Sequence, residues 1–238
     1  MNLWRITFTG LDETCQLTDI LELWRREPRL EFGVLFSDTR AGEGRYPSHR
    51  WIEWMAEELS RFGLTLALHV CGGARKRFLT DASLTGFNAL QYFDRVQLNG
   101  AFSDEEANAL QHILTHMNGQ GPALITQHDA TPDLAARVKS DQHHLLFDAS
   151  GGNGITREVW PTPILGKACG FAGGLGPMTL AAELPRIAHA AGEVPFWIDM
   201  ENSLRVAQDL FSFDAAHRTL DILSKLSPLR TSSSRRPR

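Results

Sequence analysis

Three stretches of sequence decide the fold: 143–154, HHLLFDASGGNG; 167–177, KACGFAGGLGP; and 194–205, VPFWIDMENSLR. Each contains an apolar run of strand length that ends in small or acidic residues. Glycines placed after a buried strand and before a helix let backbone amides approach an anion with no side chain in the way. A tight turn would explain either glycine pair alone, but two consecutive units favour one phosphate held between them. The residues predicted to hold it are Gly152, Asn153, Gly154, Gly173 and Gly174.

Outward from these stretches, strand-like and helix-like segments alternate along the chain. Five earlier apolar runs read as strands and bring the predicted total to eight: 3–9, 31–36, 64–70, 94–98 and 122–128. Alternating strands and helices imply right-handed crossovers and a parallel sheet, and eight strands favour closure into a single (β/α)8 TIM barrel. A doubly wound open sheet stays possible, because period alone does not show closure.

Helix signals lie between most of these strands. Apolar residues fall at helical spacing over 17–24 and from about Ser48, and Ser103 with Glu106 predicts a capping box. Thr131, Pro132 and Asp133 predict the start of another helix. Region 74–91 shows no readable pattern. The barrel is predicted to cover 1–225, and the tail 226–238, which has no apolar period and ends in basic residues, to be disordered.

Composition excludes several classes of function. The 238-residue chain has a net charge of −4, so it carries no basic footprint for nucleic acid. It contains no apolar run long enough to span a membrane and no signal-peptide pattern at its start, which predicts a cytoplasmic protein. Three widely spaced cysteines favour reduced thiols over a disulfide framework. Whether the chain is a monomer or a homodimer stays open.

In a barrel of this kind the catalytic face lies at the carboxyl ends of the strands. The polar residues at or just after those ends are Thr9, Asp38, Arg40, Arg45, His69, Cys71, Gln97, Asn99, Gln127, His128, Asp148, Asp199, Glu201 and Asn202. Polar side chains that converge from most strands suit a small-molecule site. His69 is expected to be a hydrogen-bonded barrel residue, and Cys71 is more often an inert buried thiol than a nucleophile, because nothing beside it in sequence would lower its pKa.

Five segments give the chain a resemblance to the phosphoribosylanthranilate isomerases. In order they are TFTGLDE at 7–13, VLFSDTRAGEGRYPS at 34–48, VQLNG at 96–100, LLFDASGGNG at 145–154 and FAGGLGP at 171–177. The likeness spans roughly residues 3–205, and the last two segments are the specific ones. The resemblance implies a (β/α)8 barrel, no cofactor, and an Amadori rearrangement of an aminoaldose phosphate into a ketose, as in tryptophan biosynthesis.

The resemblance also implies roles for single residues. Asp148 matches the general acid that protonates the ring oxygen of the sugar, a role that needs a raised pKa. Arg45 matches the arginine that holds the anthranilate carboxylate. The five residues predicted to hold a phosphate match the family's phosphate site, and Asp199 matches an aspartate that contacts sugar hydroxyls. Asp38 and Asn99 are further candidates for substrate contact.

The sequence departs from the family at several of these places. The catalytic base of the family is a cysteine followed by glycine at the first strand, and this chain has Thr9 followed by Gly10 there. The hydroxyl of Thr9 is too weak an acid to act as that base unaided. Asn99 replaces a histidine. Glu201 and Asn202 replace small hydroxyl residues, and a carboxylate there would repel phosphate unless it faces away or meets Arg205.

Three functional interpretations therefore stay open. The first is a divergent isomerase in which another residue acts as the base, with Cys15, Cys71, Asp38 and His128 as candidates. The second is a metal-assisted phosphosugar epimerase or lyase with Asp38, His69 and His128 as ligands, although no close spacing supports a metal site. The third is a regulatory barrel that binds a phosphorylated metabolite without turning it over, as loss of the cysteine would predict.

Overall fold

Eight parallel strands close into one barrel in chain order, and the last strand pairs with the first. The computed structural model describes residues 1–84, 86–128, 133–148 and 157–229. The barrel strands are β1 Leu3–Thr9, β2 Leu30–Phe36, β3 Thr65–Val70, β4 Arg95–Leu98, β5 Ala123–His128, β6 His143–Asp148, β7 Cys169–Ala172 and β8 Phe196–Met200. The eight predicted strands are confirmed. Closure, with Thr7 opposite Asp199, excludes the open sheet.

Helices on the outside of the barrel connect these strands. Within the described ranges they are α1 Leu17–Arg26, α2 His49–Arg61, α3 Gly72–Asp81, α4 Asp104–Met117, α5 Asp133–Arg137, α6 Leu180–Ala191 and α7 Phe213–Leu226. The capping box of α4 is confirmed: Ser103 Oγ accepts from the Glu106 amide at 3.2 Å, and Glu106 Oε2 accepts from the Ser103 amide at 2.9 Å. Helix α3 occupies part of the region that shows no readable pattern in the sequence.

Successive strand residues face opposite sides of the barrel wall. One set of alternate residues, including Phe8, Leu68 and Leu124, packs with helix residues in the main apolar core. The other set meets inside the barrel, where Ile125 and Leu146 pack with Ala172 and Trp197. Because side chains alternate along a strand, each position in the sequence is assigned to the helix side or to the barrel interior.

The barrel interior also holds a group of polar side chains, which we call the interior cluster: Thr7, Glu31 and Arg95. Arg95 Nε donates to Glu31 at 2.8 Å, its Nη2 donates to the same carboxylate, and Thr7 Oγ1 donates to Glu31 at 2.9 Å. The Arg95 guanidinium lies 4.4 Å from the ring centroid of Trp197. Burial alone would raise the pKa of Glu31, but the charges and hydrogen bonds of Arg95 outweigh it and lower that pKa. The pair is therefore held ionised inside the barrel.

After β8 the chain forms a small hairpin before the last helix. Its strands are β9 Arg205–Val206 and β10 Leu210–Phe211, which pair in antiparallel fashion. At the tip, Gln208 and Asp209 both have φ of +62°, in the left-handed region that non-glycine residues seldom adopt. The hairpin lies on the side of the barrel where the carboxyl ends of the strands meet.

Helix α7 ends at Leu226, and the chain stays packed just beyond it. Arg29 donates to Ser227 Oγ at 2.9 Å and to the Ser227 carbonyl at 2.7 Å. Residues 230–238 lie outside the described residues, so the disordered tail stays a prediction. In the part of the chain that the structure describes, no helix combines the length and the apolar character needed to cross a bilayer.

Candidate functional site

The carboxyl ends of the strands present a ring of polar side chains toward the barrel interior. Alternation along each strand assigns these residues to the interior because their neighbours in sequence pack against the helices. The ring consists of Thr9, His69, Cys71, Gln97, Asn99, Gln127, Asp148 and Asp199. Polar groups gathered at this end of a barrel are where active sites of the fold are built.

Thr9 and Asp199 form a buried pair where the first strand meets the last. Thr9 Oγ1 donates to Asp199 Oδ1 at 2.7 Å. A Cβ at Gly33, on the neighbouring strand, would lie 2.5 Å from Thr9 Oγ1, so glycine makes room for the hydroxyl. Burial raises the pKa of Asp199 to about 8, the charges of Glu201 and Glu31 add to the rise, and the hydrogen bond from Thr9 opposes it. Asp199 therefore exchanges its proton near neutral pH.

Asp148 stands at the end of β6, two strands from Asp199. The Gln127 side-chain amide donates to Asp148 Oδ2 at 2.9 Å. Gln127 Oε1 in turn accepts from the Gly100 amide at 3.3 Å. The carboxylate is thus oriented by a chain of hydrogen bonds that begins in the loop after β4.

Cys71 and Asn99 occupy the next part of the ring. Asn99 Nδ2 donates to the Cys71 sulfur at 3.2 Å, and Gln97 Nε2 donates to Asn99 Oδ1 at 2.7 Å. Burial raises the pKa of the Cys71 thiol to about 11, although the Asn99 hydrogen bond opposes the rise. A thiol with so high a pKa is almost entirely protonated near neutrality and is a poor candidate for the missing base.

The loop after β7 carries the glycines predicted to hold a phosphate. Gly173 and Gly174 have φ of +101° and +65°, a conformation that glycine adopts without strain. Thr179 Oγ1 donates to the Gly174 carbonyl at 2.6 Å, which ties the loop to the start of α6. The other predicted residues of this site, Gly152, Asn153 and Gly154, lie outside the described residues. Their role stays a prediction.

Arg45 is the centre of what we call the mouth cluster: Arg45, Glu201, Arg205 and Asp209. Arg45 Nε and Nη2 donate to the two carboxylate oxygens of Asp209 at 2.8 and 2.7 Å, and its Nη1 donates to Glu201. From the sequence, Glu201 is expected to face away from the phosphate or to meet Arg205. Its hydrogen-bonded ion partner in the structure is Arg45. Burial raises the pKa of Glu201, while Arg45 opposes the rise.

Other candidates from the sequence lie apart from the Thr9 and Asp199 pair. Asp38 forms an ion pair with Arg77 of α3. The His128 ring is hydrogen-bonded to Thr126 at 2.7 Å, and both belong to the set of β5 residues that faces the helices. Cys15 is buried, and burial raises its pKa to about 12. The structure therefore does not bring these three proposed bases to the pair.

His69 differs from its expected role as a hydrogen-bonded barrel residue. Neither of its ring nitrogens has a hydrogen-bond partner among the described residues, and the side chain is almost fully buried. Burial lowers the pKa of His69 to about 4, so the ring is neutral near pH 7. It offers one donor and one acceptor to the barrel interior.

The predicted metal ligands are not gathered at one place. Asp38 lies in the loop after β2, His69 faces the barrel interior, and His128 faces the helices. Across the ranges that the structure describes, no three histidine, cysteine, aspartate or glutamate side chains are grouped so that they could hold a metal ion. The epimerase or lyase interpretation thus lacks the ligand set on which it depended.

Comparison with solved structures identifies several that share this architecture. A phosphoribosylanthranilate isomerase from Thermus thermophilus matches with a TM-score of 0.64 and 18% identity, over 93% of this chain and 99% of that one. A second, from Thermococcus kodakaraensis, matches with a TM-score of 0.56 and 11% identity, over 93% and 99%. A D-psicose 3-epimerase from Clostridium cellulolyticum matches with 0.51 and 9%, over 93% and 97%. These likenesses establish the fold. No family model and no curated protein sequence matches the chain.

Sequence reasoning missed three contributors to this site. Gln127 is one of the strand-end residues, but His128 is the β5 residue predicted to be catalytic. Alternation along the strand places Gln127 on the same side as Ile125, in the interior. The partnership of Thr9 with Asp199 depends on barrel closure. Asp209 follows β8 by nine residues, and no local signal in the sequence marks it as a partner of Arg45.

Proposed function

We propose that this chain is a phosphosugar isomerase that resembles phosphoribosylanthranilate isomerase and performs an Amadori rearrangement with two carboxyl groups. The observation that carries the proposal is the placement of Asp148 and Asp199 at the ends of β6 and β8. These strands flank β7, whose end carries Gly173 and Gly174. An acid–base pair on both sides of an anion-binding loop suits a phosphorylated sugar.

Asp148 takes the role of the general acid. It protonates the ring oxygen as the sugar opens, which leaves a protonated imine at C1′. The Gln127 amide bound to its Oδ2 fixes the orientation of the carboxyl group. Oriented proton donors of this kind typically contribute about 10²–10⁴-fold to a rate.

Asp199 takes the role of the base that the family assigns to cysteine. It removes the C2′ proton to give an enolamine and then returns that proton to C1′. As the C2′ carbonyl of the ketose forms, the C2′ hydroxyl proton replaces the one that Asp148 gave to the ring oxygen, so the reaction is an isomerisation with no net gain or loss of atoms. Thr9 stands at the cysteine position and donates to Asp199, which makes it a positioning residue. A carboxylate whose pKa lies near 8 is unusually basic, and a minor fraction of it is ionised near neutrality.

Gly173 and Gly174 would hold the phosphate through backbone amides. Gly152, Asn153 and Gly154 are proposed to complete this site from the loop after β6. The barrel likeness supports the position, because phosphate sites of such barrels lie in the loops after the seventh and eighth strands. Glu201, paired with Arg45, has its charge partly balanced there.

Turnover of two aminoaldose phosphates tests the proposal. Ribose 5-phosphate condensed with aniline or with anthranilate gives substrates that differ by one carboxylate, and NMR follows conversion of aldose into ketose. The wild type should convert at least one of them, and Asp148→Asn and Asp199→Asn should each lower kcat by about 10²–10⁴-fold. The control is Asp141→Asn, the same change in the exposed turn before β6, which should leave kcat unchanged.

A second experiment tests the loop after β7, which is proposed to bind the phosphate. Gly174→Asp and Gly174→Asn are of similar size and share the conformational cost of a side chain at positive φ, so they differ mainly in charge. Calorimetry with ribose 5-phosphate should show binding by Gly174→Asn and none by Gly174→Asp. Binding without turnover in the wild type would favour the regulatory barrel. Normal turnover by both Asp148→Asn and Asp199→Asn would contradict the acid–base pair.

A further inference from the structure

Arg45 holds a protein carboxylate with the geometry that arginine uses for a ligand. Its Nε and Nη2 donate to separate oxygens of Asp209, at 2.8 and 2.7 Å. Such a two-pronged pair is the arrangement that makes arginine suited to planar carboxylates. Asp209 thus occupies the place at which the resemblance would put the carboxylate of the substrate.

Two of the three remaining donors of Arg45 are also engaged. Nη1 donates to Glu201 and, at 2.8 Å, to Asn202 Oδ1. A guanidinium has five N–H donors, and its contacts with these three residues use four of them. Arg205, whose Nε lies 3.4 Å from Asp209 Oδ1, is the second cation of the mouth cluster, so its two arginines are already matched by two carboxylates and a third carboxylate would add excess negative charge.

Contacts of the hairpin that carries Asp209 fix the position of this residue. The Arg205 guanidinium donates to the Asp209 carbonyl and to the Gly10 carbonyl, and it lies 3.5 Å from Asp12. Asp12 Oδ2 accepts from the Phe211 amide at 2.6 Å. These contacts fix the tip of the hairpin in spite of the left-handed backbone at Asp209. A carboxylate tethered in this way competes at high effective concentration with one that is free in solution.

The mouth cluster lies beside the proposed acid–base pair. Glu201 follows Asp199 by two residues, and Arg205 of the cluster donates to the carbonyl of Gly10, the residue after Thr9. The contact between Arg45 and Glu201 therefore lies next to this pair, at the carboxyl-end opening of the barrel.

Resting on the proposed function, we propose that Asp209 permanently fills the carboxylate subsite at Arg45, and that the enzyme acts on aminoaldose phosphates whose amine substituent carries no carboxylate. The specificity arises from repulsion as well as fit, because an acidic substituent would have to displace a tethered anion next to Glu201. The substrate class is a phosphosugar joined to a neutral aromatic or aliphatic amine.

The test compares kcat/KM for the aniline and anthranilate adducts of ribose 5-phosphate. The wild type should prefer the aniline adduct by about tenfold or more. Asp209→Asn removes the charge, keeps the size and suits the left-handed backbone, so it should shift the ratio toward the anthranilate adduct by about tenfold. Adding Arg45→Gln to Asp209→Asn should abolish that shift, since no cation remains to hold the carboxylate.

Glu43→Gln is the matched control. It removes one negative charge from the same loop as Arg45, where Glu43 is exposed and paired only loosely with Arg40 at 3.7 Å. This variant should leave the ratio unchanged. Two results would overturn the inference: a wild type that prefers the anthranilate adduct, or an Asp209→Asn variant whose ratio equals that of the wild type. In either case, turnover of the aniline adduct would still support the proposed function. Failure to convert either adduct would overturn both.

Discussion

Two arginine–carboxylate clusters in this barrel use the same chemistry in different surroundings. In the interior cluster, the side chains of Arg95 and Glu31 are 4% and 0% exposed. In the mouth cluster, the side chains of Arg45 and Asp209 are 23% and 35% exposed. Solvent screens the second pair, whereas the first lies inside the barrel, where Arg5 is a further cation 3.6 Å from Glu31. Burial, and not the type of residue, separates a structural ion pair from one that can govern binding.

The largest expected effect comes from breaking the interior pair. Glu31→Gln leaves the Arg95 charge buried without its carboxylate, so the free energy of unfolding should fall by about 3–5 kcal/mol. Urea unfolding followed by circular dichroism measures it.

The control for this change is the double variant Glu31→Met with Arg95→Met. It removes both charges and should recover much of the loss, because a buried pair can often be replaced by apolar side chains of similar volume. A loss below about 1 kcal/mol in Glu31→Gln would mean that solvent reaches the interior cluster and that the comparison of the two clusters is wrong.

A pH-dependent effect is expected at Asp199, which is buried like Glu31 but forms no ion pair with any described residue. Its pKa rises from 3.8 to about 8 on folding, mainly through burial. Between these values the folded state keeps a proton that the unfolded state has released, so raising the pH favours unfolding. The wild type should therefore lose stability relative to Asp199→Asn as the pH rises from about 4 to 8, by about 1.4 kcal/mol for each pH unit within this window.

Denaturant titrations of both proteins at several pH values give this difference directly. Below pH 4 and above pH 8 the difference should be constant, because both states of Asp199 then carry the same charge. A difference that does not vary with pH would show that the Asp199 pKa is not raised, and it would remove the physical basis for Asp199 as the base.

The smallest effect on stability is expected in the mouth cluster. Asp209→Asn weakens a half-exposed pair, so the free energy of unfolding should change by less than about 1 kcal/mol. The hydrogen bond from Arg45 lowers the pKa of Asp209, and its charge adds to this, so the contribution should be present near neutral pH and lost as acid protonates the carboxylate. Thermal melts in low and high salt measure it, and a destabilisation as large as that of Glu31→Gln would mean that the hairpin is a structural element of the barrel.

The sequence predicts the barrel well because the signals of a (β/α)8 fold are local. Apolar runs of strand length and the capping box at Ser103 each depend on a few neighbouring residues. No element is predicted after Arg205, where the structure has a hairpin and α7. The hairpin strands are only two residues long and give no periodic signal in the sequence. Region 74–91 shows no readable helical pattern because the buried residues of α3 include Arg75, which obscures the apolar period.

The candidate site divides in the same way. By itself the sequence determined which residues end each strand, and so it supplied Asp148, Asp199, Gly173 and Gly174 as candidates. Only the tertiary structure decided the partners: Thr9 meets Asp199 across 190 residues, and Arg45 meets Asp209 across 164. Barrel closure produces the first of these contacts, and the hairpin after β8 produces the second. Burial then sets the pKa values, because a side chain loses water only when distant strands close around it.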